Sequence, residues 1–141
     1  MHFIPFSPFL TTRLAARLDA YRSDAGDDAS ETRRIAEEIG ALPLGSFLLS
    51  AYYLRPTGEL YSIEAAAAGA EVERVSDEGW YYAALRLGSL RYPELVEALP
   101  GKPSASEVCV TCDGTGIVAY KPASGQGPTN VCLDCLGRGW R

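Results

Sequence analysis

Four cysteines, the only ones in this chain of 141 residues, fall in two pairs close to the end of the sequence. Each pair opens the pattern C-x-x-C-x-G-x-G, first as CVTCDGTG at 109–116 and then as CLDCLGRG at 132–139. The overall spacing, C-x2-C-x19-C-x2-C, suits a tetrahedral site in which four thiolates hold one zinc ion. We therefore predict one structural Zn²⁺ per chain. Its ligands would be Cys109, Cys112, Cys132 and Cys135.

We call residues 109–116 the first knuckle and residues 132–139 the second knuckle. Each knuckle carries two glycines, and the four are Gly114, Gly116, Gly137 and Gly139. The first glycine of each knuckle comes two residues after the second cysteine, where the chain must leave a tight turn and a positive φ is expected. Backbone amides there can point at sulfur and spread the formal −2 charge of a zinc–four-thiolate centre. The second glycine of each knuckle allows close approach as the chain departs.

Other chemistry is open to the same cysteines. Four thiolates also suit iron, and two disulfides or a redox-active pair are further alternatives. A disulfide within C-x-x-C closes a very small loop and stabilises little, and neither pair follows the strand-to-helix pattern of a thioredoxin site. Structural zinc is the interpretation we favour. Because such sites are closed to water and substrate, it predicts no catalytic role for the metal.

The repeated knuckle resembles the cysteine-rich zinc region of the DnaJ-type (Hsp40) co-chaperones, at all four cysteines and all four knuckle glycines. That region of the family has four repeats and two zinc sites, whereas this chain has two repeats, enough for one site. The family's J domain requires a His-Pro-Asp loop, and the single histidine here, His2, is followed by Phe3. The resemblance therefore implies a zinc module with some protein-binding capacity, but no J domain. It covers about the last 33 residues, and residues 1–100 resemble no family that we recognise.

Charge is distributed unevenly along the chain. Residues 1–100 contain nine arginines, no lysine and fifteen acidic residues, a net charge of −6, whereas residues 101–141 have a net charge of +1. Such an acidic protein is poorly suited to non-specific nucleic-acid binding, which depends on neutralising phosphates. We find no signal peptide, and the longest apolar stretch is far short of the ~20 residues that span a bilayer. These features predict a cytoplasmic protein without a membrane partner.

The coarse pattern predicts an α+β fold, with a small antiparallel sheet, flanking helices and a carboxyl-terminal zinc ribbon built on the four cysteines. Helices are expected over 11–22, behind caps at Thr11 and Thr12, and from a cap at Asp28 or Ser30, with Leu42 on one face and with Gly40 and Pro43 ending the helix. Further helices are expected from 78 to 90 and, as a short one, over 92–99. A β-hairpin is expected over 46–65, turning at RPTGE, with a third strand at 71–75. The Pro- and Gly-rich segment 100–106 is a linker candidate. It divides the chain into an α+β domain of unknown family, 1–100, and a zinc-ribbon module, 101–141.

The sequence contains no catalytic constellation. The single histidine, His2, lies at the start of the sequence, so we expect no Ser-His-Asp set. Neither a phosphate-binding loop nor a motif-linked carboxylate pair is present. Six aromatic residues at 52–82 could line a ligand pocket or a peptide groove, and packing in the core is the interpretation we favour. They are Tyr52, Tyr53, Tyr61, Trp80, Tyr81 and Tyr82. We predict a non-enzymatic, zinc-binding protein-interaction module of adaptor or chaperone-like type, for which a small-molecule substrate is not expected. The alternatives are a nucleic-acid-binding zinc ribbon and a thiol–disulfide oxidoreductase or holdase. The candidate interaction surface is Lys121, Arg138 and Trp140.

Overall fold

The structure of the chain is a computed structural model that describes residues 6–24, 26, 28–64, 71–119 and 129–141. It forms two compact units, Met1–Val75 and Ser76–Arg141. Helices and a small antiparallel sheet, together with a carboxyl-terminal cluster of cysteines, confirm the predicted α+β class. The predicted domain boundary after residue 100 falls inside the second compact unit. Whether residues 101–141 fold as a separate module stays a prediction.

The first helix, α1 (Pro8–Ser23), begins three residues before the predicted start. The Ser7 hydroxyl caps it by accepting a hydrogen bond of 3.1 Å from the Leu10 amide, and Pro8 occupies the first turn. Proline is favoured there because its fixed φ suits the helix and its missing N–H has no intrahelical acceptor. The expected caps at positions 11 and 12 are therefore wrong. One face of α1 is buried, and it carries Leu10, Leu14, Leu18 and Tyr21.

The second helix, α2 (Ser30–Ile39), ends as predicted at Gly40, which has φ of 65° in the left-handed region. Its start differs from the prediction, because Ala29 occupies the capping position and no side chain caps the helix. Leu42, expected on a helix face, instead begins the first strand. No helix in the described part of the chain is long and apolar enough to span a bilayer.

A four-stranded antiparallel sheet completes the first unit, in the order β1-β2-β3-β4. Its strands are β1 (Leu42–Phe47), β2 (Ser50–Leu54), β3 (Leu60–Glu64) and β4 (Glu73–Arg74). The predicted hairpin is confirmed as β2–β3, and the predicted third strand is confirmed as β4. The loop has Pro56 in its turn, and Gly58, with φ of 111°, donates a hydrogen bond to the Arg55 carbonyl. This is the three-residue hairpin loop that Pro and Gly favour.

Strand β1 was not predicted, because the loop that joins it to β2 contains no turn-forming residue. That loop is Leu48–Leu49, with φ of 50° and 65°. A two-residue hairpin loop with positive φ at both positions corresponds to a type I′ turn, which normally carries Asn-Gly. Both leucines are also exposed. Pro43 lies within β1, where it is tolerated because β1 is an edge strand.

The second unit begins with α3 (Glu78–Gly88), capped by Asp77, whose carboxylate accepts a hydrogen bond of 2.9 Å from the Trp80 amide. A 3-10 helix follows at Pro93–Ala98. The buried side of α3 includes Tyr81, Tyr82 and Leu85. Aromatic residues of the 52–82 set thus lie in both units. Tyr52, Tyr53, Tyr81 and Tyr82 are buried, whereas Trp80 is 38% exposed.

A two-stranded antiparallel ribbon connects the knuckles, as predicted, and consists of β5 (Ile117–Ala119) and β6 (Thr129–Val131). A second pairing links the segment before the first knuckle to the chain end. Glu107 and Arg141 exchange two backbone hydrogen bonds of 3.0 and 2.9 Å, and Val108 forms a bridge with Trp140. Both knuckles are therefore held by antiparallel backbone pairing on their two sides.

Candidate metal centre

The four cysteines meet at one buried point in the second unit. Their sulfur atoms all lie within 4.8 Å of one another, and all four thiols are free. Two sulfur pairs bridge the knuckles, Cys109–Cys132 at 3.9 Å and Cys112–Cys135 at 3.8 Å. A tetrahedron with Zn–S bonds of about 2.3 Å has edges of about 3.8 Å. The two bridging pairs match that edge, and the whole cluster is compact enough to hold one metal ion.

The two knuckles follow the same backbone path. In the first, the Gly114 amide donates to the Cys109 carbonyl at 3.1 Å, and in the second the Gly137 amide donates to the Cys132 carbonyl at 2.9 Å. Positive φ was expected at Gly114 and Gly137, and the observed values are 79° and 77°. The residues just before them also have positive φ, 54° at Asp113 and 52° at Leu136, which the sequence pattern did not predict.

Backbone amides point at sulfur in both knuckles. The Gly116 amide donates to Sγ of Cys112 at 3.2 Å, and the Gly139 amide donates to Sγ of Cys135 at 3.2 Å. Sulfur acceptance had been expected at these loops, and the donors are the second glycines of the knuckles. Such hydrogen bonds disperse negative charge on thiolate and fix the orientation of the ligands.

The knuckles also approach each other so closely that side chains are excluded. A Cβ on Gly116 would overlap the Gly137 carbonyl oxygen, and a Cβ on Gly139 would overlap the Gly114 carbonyl oxygen. The contact is reciprocal, so each knuckle packs its backbone against the glycine of the other. Gly116 and Gly139 also have φ of 78° and 86°. The close contact and the backbone conformation each restrict these two positions to glycine.

Burial and hydrogen bonding act differently on the four thiols. Burial raises the pKa of the Cys132 thiol to about 12, and it also raises the pKa of Cys135. Burial acts in the same direction at Cys109, but hydrogen bonds from the Cys112 and Thr111 backbone and from neighbouring thiols outweigh it and lower that pKa to about 7. Thiols must ionise to coordinate metal, and a divalent cation among them supplies the compensating charge. This donor set therefore fits a soft or borderline divalent ion.

Zinc would be held by Cys109, Cys112, Cys132 and Cys135, and it would supply a structural cross-link between the knuckles. Four thiolates complete a tetrahedral shell, so no ligand position stays open for a reacting molecule. Iron accepts the same set of four thiolates.

The candidate interaction residues differ in their surroundings. Arg138 lies 4.7 Å from the Trp140 ring and donates from Nε to the Cys135 carbonyl at 3.0 Å. The Trp140 indole is partly buried, and its Nε1 has no hydrogen-bond partner among the described residues. Lys121 lies outside the described residues.

Two contacts at this centre were not predicted. The Thr111 hydroxyl donates to the Asp134 carboxylate, joining the equivalent third positions of the knuckles. Arg86 of α3 donates from Nε to the Gly137 carbonyl at 2.6 Å, across 51 residues of sequence. Pattern analysis could have paired Thr111 with Asp134 by their equivalent places in the repeat. Nothing in the sequence singles out Arg86.

Comparison with known proteins gives no relative for this chain. No family matches it, and neither a curated protein nor a solved structure is significantly similar to it.

Proposed function

We propose that this chain is a non-enzymatic protein-interaction module, stabilised by one structural Zn²⁺ ion bound to its four cysteines. The observation that carries the proposal is the buried cluster of four sulfur atoms, all within 4.8 Å of one another. Free thiols persist in reducing compartments, so we place the protein in the cytoplasm. The role proposed for the metal is to fix the knuckles, so that the surface around them keeps one shape.

Exposed apolar side chains at the knuckle tips support a protein partner. Val110 is 78% exposed and Leu133 is 50% exposed, and they hold the same position in the two knuckles. They directly precede Thr111 and Asp134, whose hydrogen bond joins the tips. Rigidly presented apolar side chains of this kind contact protein more favourably than they contact phosphate or water.

Arg138, a cationic residue of the candidate interaction surface, is engaged by other groups of the second knuckle and the chain end, which disfavours the nucleic-acid alternative. The Arg138 guanidinium faces the Trp140 ring, and its Nε is committed to the Cys135 carbonyl. A phosphate contact would have to compete with both interactions. The likeness of the knuckles to the co-chaperone zinc region also supports protein binding, without implying action on Hsp70.

Metal content is the first test. We expect elemental analysis of freshly purified protein to give one zinc per chain, and a chelator-competition titration to show that Cys112→Ser and Cys135→Ser weaken binding severely. The matched control is Ser104→Ala, which alters an exposed linker residue. Stoichiometric iron would replace zinc in this proposal. Absence of stoichiometric metal, or bonded sulfur pairs, would contradict it.

Partner capture is the second test. The double variant Val110→Asp/Leu133→Asp should lose proteins that the wild type retains from extract, whereas Leu90→Asp, a 45% exposed control in the same unit, should keep them. Direct binding of a captured protein, measured with purified components, should be weakened by Val110→Asp/Leu133→Asp and unchanged by Leu90→Asp. Retention of RNA or DNA that weakens steeply with salt would favour the nucleic-acid alternative instead. Reduction of insulin by the zinc-loaded protein would favour the oxidoreductase alternative.

A further inference from the structure

Arg86 links helix α3 to the second knuckle. Its Nε donates to the Gly137 carbonyl at 2.6 Å, and its Nη2 lies 3.5 Å from the Arg138 carbonyl. Its Cβ and Cγ also lie close to Gly137, where an added methyl group would meet them at 2.9 and 3.2 Å. The side chain thus contacts the second knuckle along its whole length.

The guanidinium also reaches the junction between the knuckles. A Cβ built on Gly116 of the first knuckle would lie 2.6 Å from Arg86 Nε. Gly116 is the residue whose amide donates to Cys112 Sγ, and Gly137 belongs to the turn that presents Cys135. Arg86 therefore lies beside the second cysteine of each knuckle.

The negative charge of a tetrathiolate metal centre favours a cation beside it. Four thiolates around a divalent ion leave a net charge of −2, and two amide hydrogen bonds disperse only part of it. Arg86 is partly buried, and no carboxylate pairs with it among the residues that the structure describes. Burial lowers the pKa of Arg86 from its ordinary value, while the Cys135 and Cys112 thiolates oppose that shift by favouring the charged form. A partly buried guanidinium without a carboxylate is costly unless another anion lies nearby.

We infer that Arg86 is a positioning residue of the metal centre, acting as the counter-cation of the tetrathiolate site and fastening helix α3 to the second knuckle. This inference rests on the metal site proposed above. It adds that the metal site also stabilises helix α3, because the Arg86 side chain binds the second knuckle while the Arg86 backbone belongs to the helix. Loading the site would then stabilise α3 as well as the knuckles.

Zinc affinity in three full-length variants tests the charge. In Arg86→Gln the cation is lost, and chelator competition should show affinity lowered on the order of 10- to 100-fold, the effect of removing a group that supports metal ligands. Arg86→Lys keeps the charge and should recover part of this loss. The control Arg91→Gln, an exposed arginine of the same unit, should match the wild type.

Affinity in Arg86→Gln within twofold of that in Arg91→Gln would overturn the inference. Equal losses in Arg86→Lys and Arg86→Gln would overturn the role of the charge. If wild-type protein binds no metal at all, both the inference and the proposed metal site fail. If wild type binds one metal and the arginine variants bind it equally well, only the inference about Arg86 fails.

A measurement on unmodified protein covers the case in which the variants do not fold. Hydrogen exchange should show that chelation removes protection from amides at 84–88 of α3, while amides of β2 and β3 in the first unit keep theirs. Unchanged protection of α3 after the metal is removed would overturn the fastening role. Loss confined to residues 107–141 would do the same.

Discussion

The two units hold strained turns in different ways. In the first unit, Leu48 and Leu49 have positive φ because strands β1 and β2 pair on both sides of them. In the second, Asp113 and Leu136 have positive φ at the knuckles, where each directly follows a cysteine of one buried cluster. Backbone strain of this kind persists only where the surroundings fix it. Strand pairing supplies that constraint in the sheet. In the knuckles it comes from the buried cysteine cluster, which the proposed metal would hold together.

This difference implies that the units respond to different perturbations. The first buries leucines and tyrosines around its sheet, so its stability should follow hydrophobic burial. The knuckles bury four cysteines, with the partly buried Val118 packed against them. Their stability should follow the metal, since binding energy at such sites is also folding energy.

Removing the metal should give the largest effect. Chelation, or Cys135→Ser, should unfold the knuckles because structural zinc contributes on the order of 10 kcal/mol to folding in such modules. Hydrogen exchange read by mass spectrometry should show lost protection at 107–119, at 129–141 and at 84–88 of α3, with β2 and β3 unchanged. Equal loss of protection in both units would contradict the comparison.

Shortening a leucine in the sheet should give the converse pattern. Leu54 is fully buried in β2 and lies opposite Leu60. Leu54→Ala should destabilise the first unit by about 2–5 kcal/mol through lost burial and the cavity left behind. Denaturant unfolding should detect this, and the zinc affinity should stay at the wild-type value. Phe9→Ala, at a residue that is 62% exposed, is the control and should change stability little.

A methyl group at the glycine contact should act on the metal without touching a ligand. Gly139→Ala forces an alanine into φ of 86° and against the Gly114 carbonyl, so the second knuckle must move. We expect a cost of about 2 kcal/mol or more, seen as weakened zinc binding in a chelator competition. Gly101→Ala adds the same methyl group where no atom lies within 4 Å, and it should leave zinc affinity unchanged.

Relieving the strained turn should give the smallest effect, with the opposite sign. Leu48→Asn/Leu49→Gly places the residues that a type I′ turn favours between β1 and β2. The first unit should gain about 1 kcal/mol, measured as a higher denaturant midpoint, with zinc affinity unchanged. A lower midpoint would mean that the leucines stabilise the fold through contacts that outweigh the strain.

The parts of the structure that could be predicted from sequence are those whose conformation is set by local residue types. The knuckles and the loop at Pro56–Gly58 were predictable because cysteine, proline and glycine each restrict the backbone or the chemistry locally. The turn at Leu48–Leu49 was not, because its conformation is imposed by strand pairing against the preference of leucine, and β1 was missed with it. Arg86 could not be found because its role depends on a contact across 51 residues, and nothing near it in the sequence marks it.

The groups that surround the sulfur atoms in the knuckles are mostly main chain: glycine amides donate to sulfur, and glycine carbonyls form the contact between the two loops. The second position of each knuckle, Val110 and Leu133, is outward-facing and has no role in that framework. Under the proposed function, substitutions there would change recognition and leave metal coordination as it is. The repeat would thus be a scaffold whose outer side chains can vary, through evolution or protein engineering, without loss of the proposed metal site.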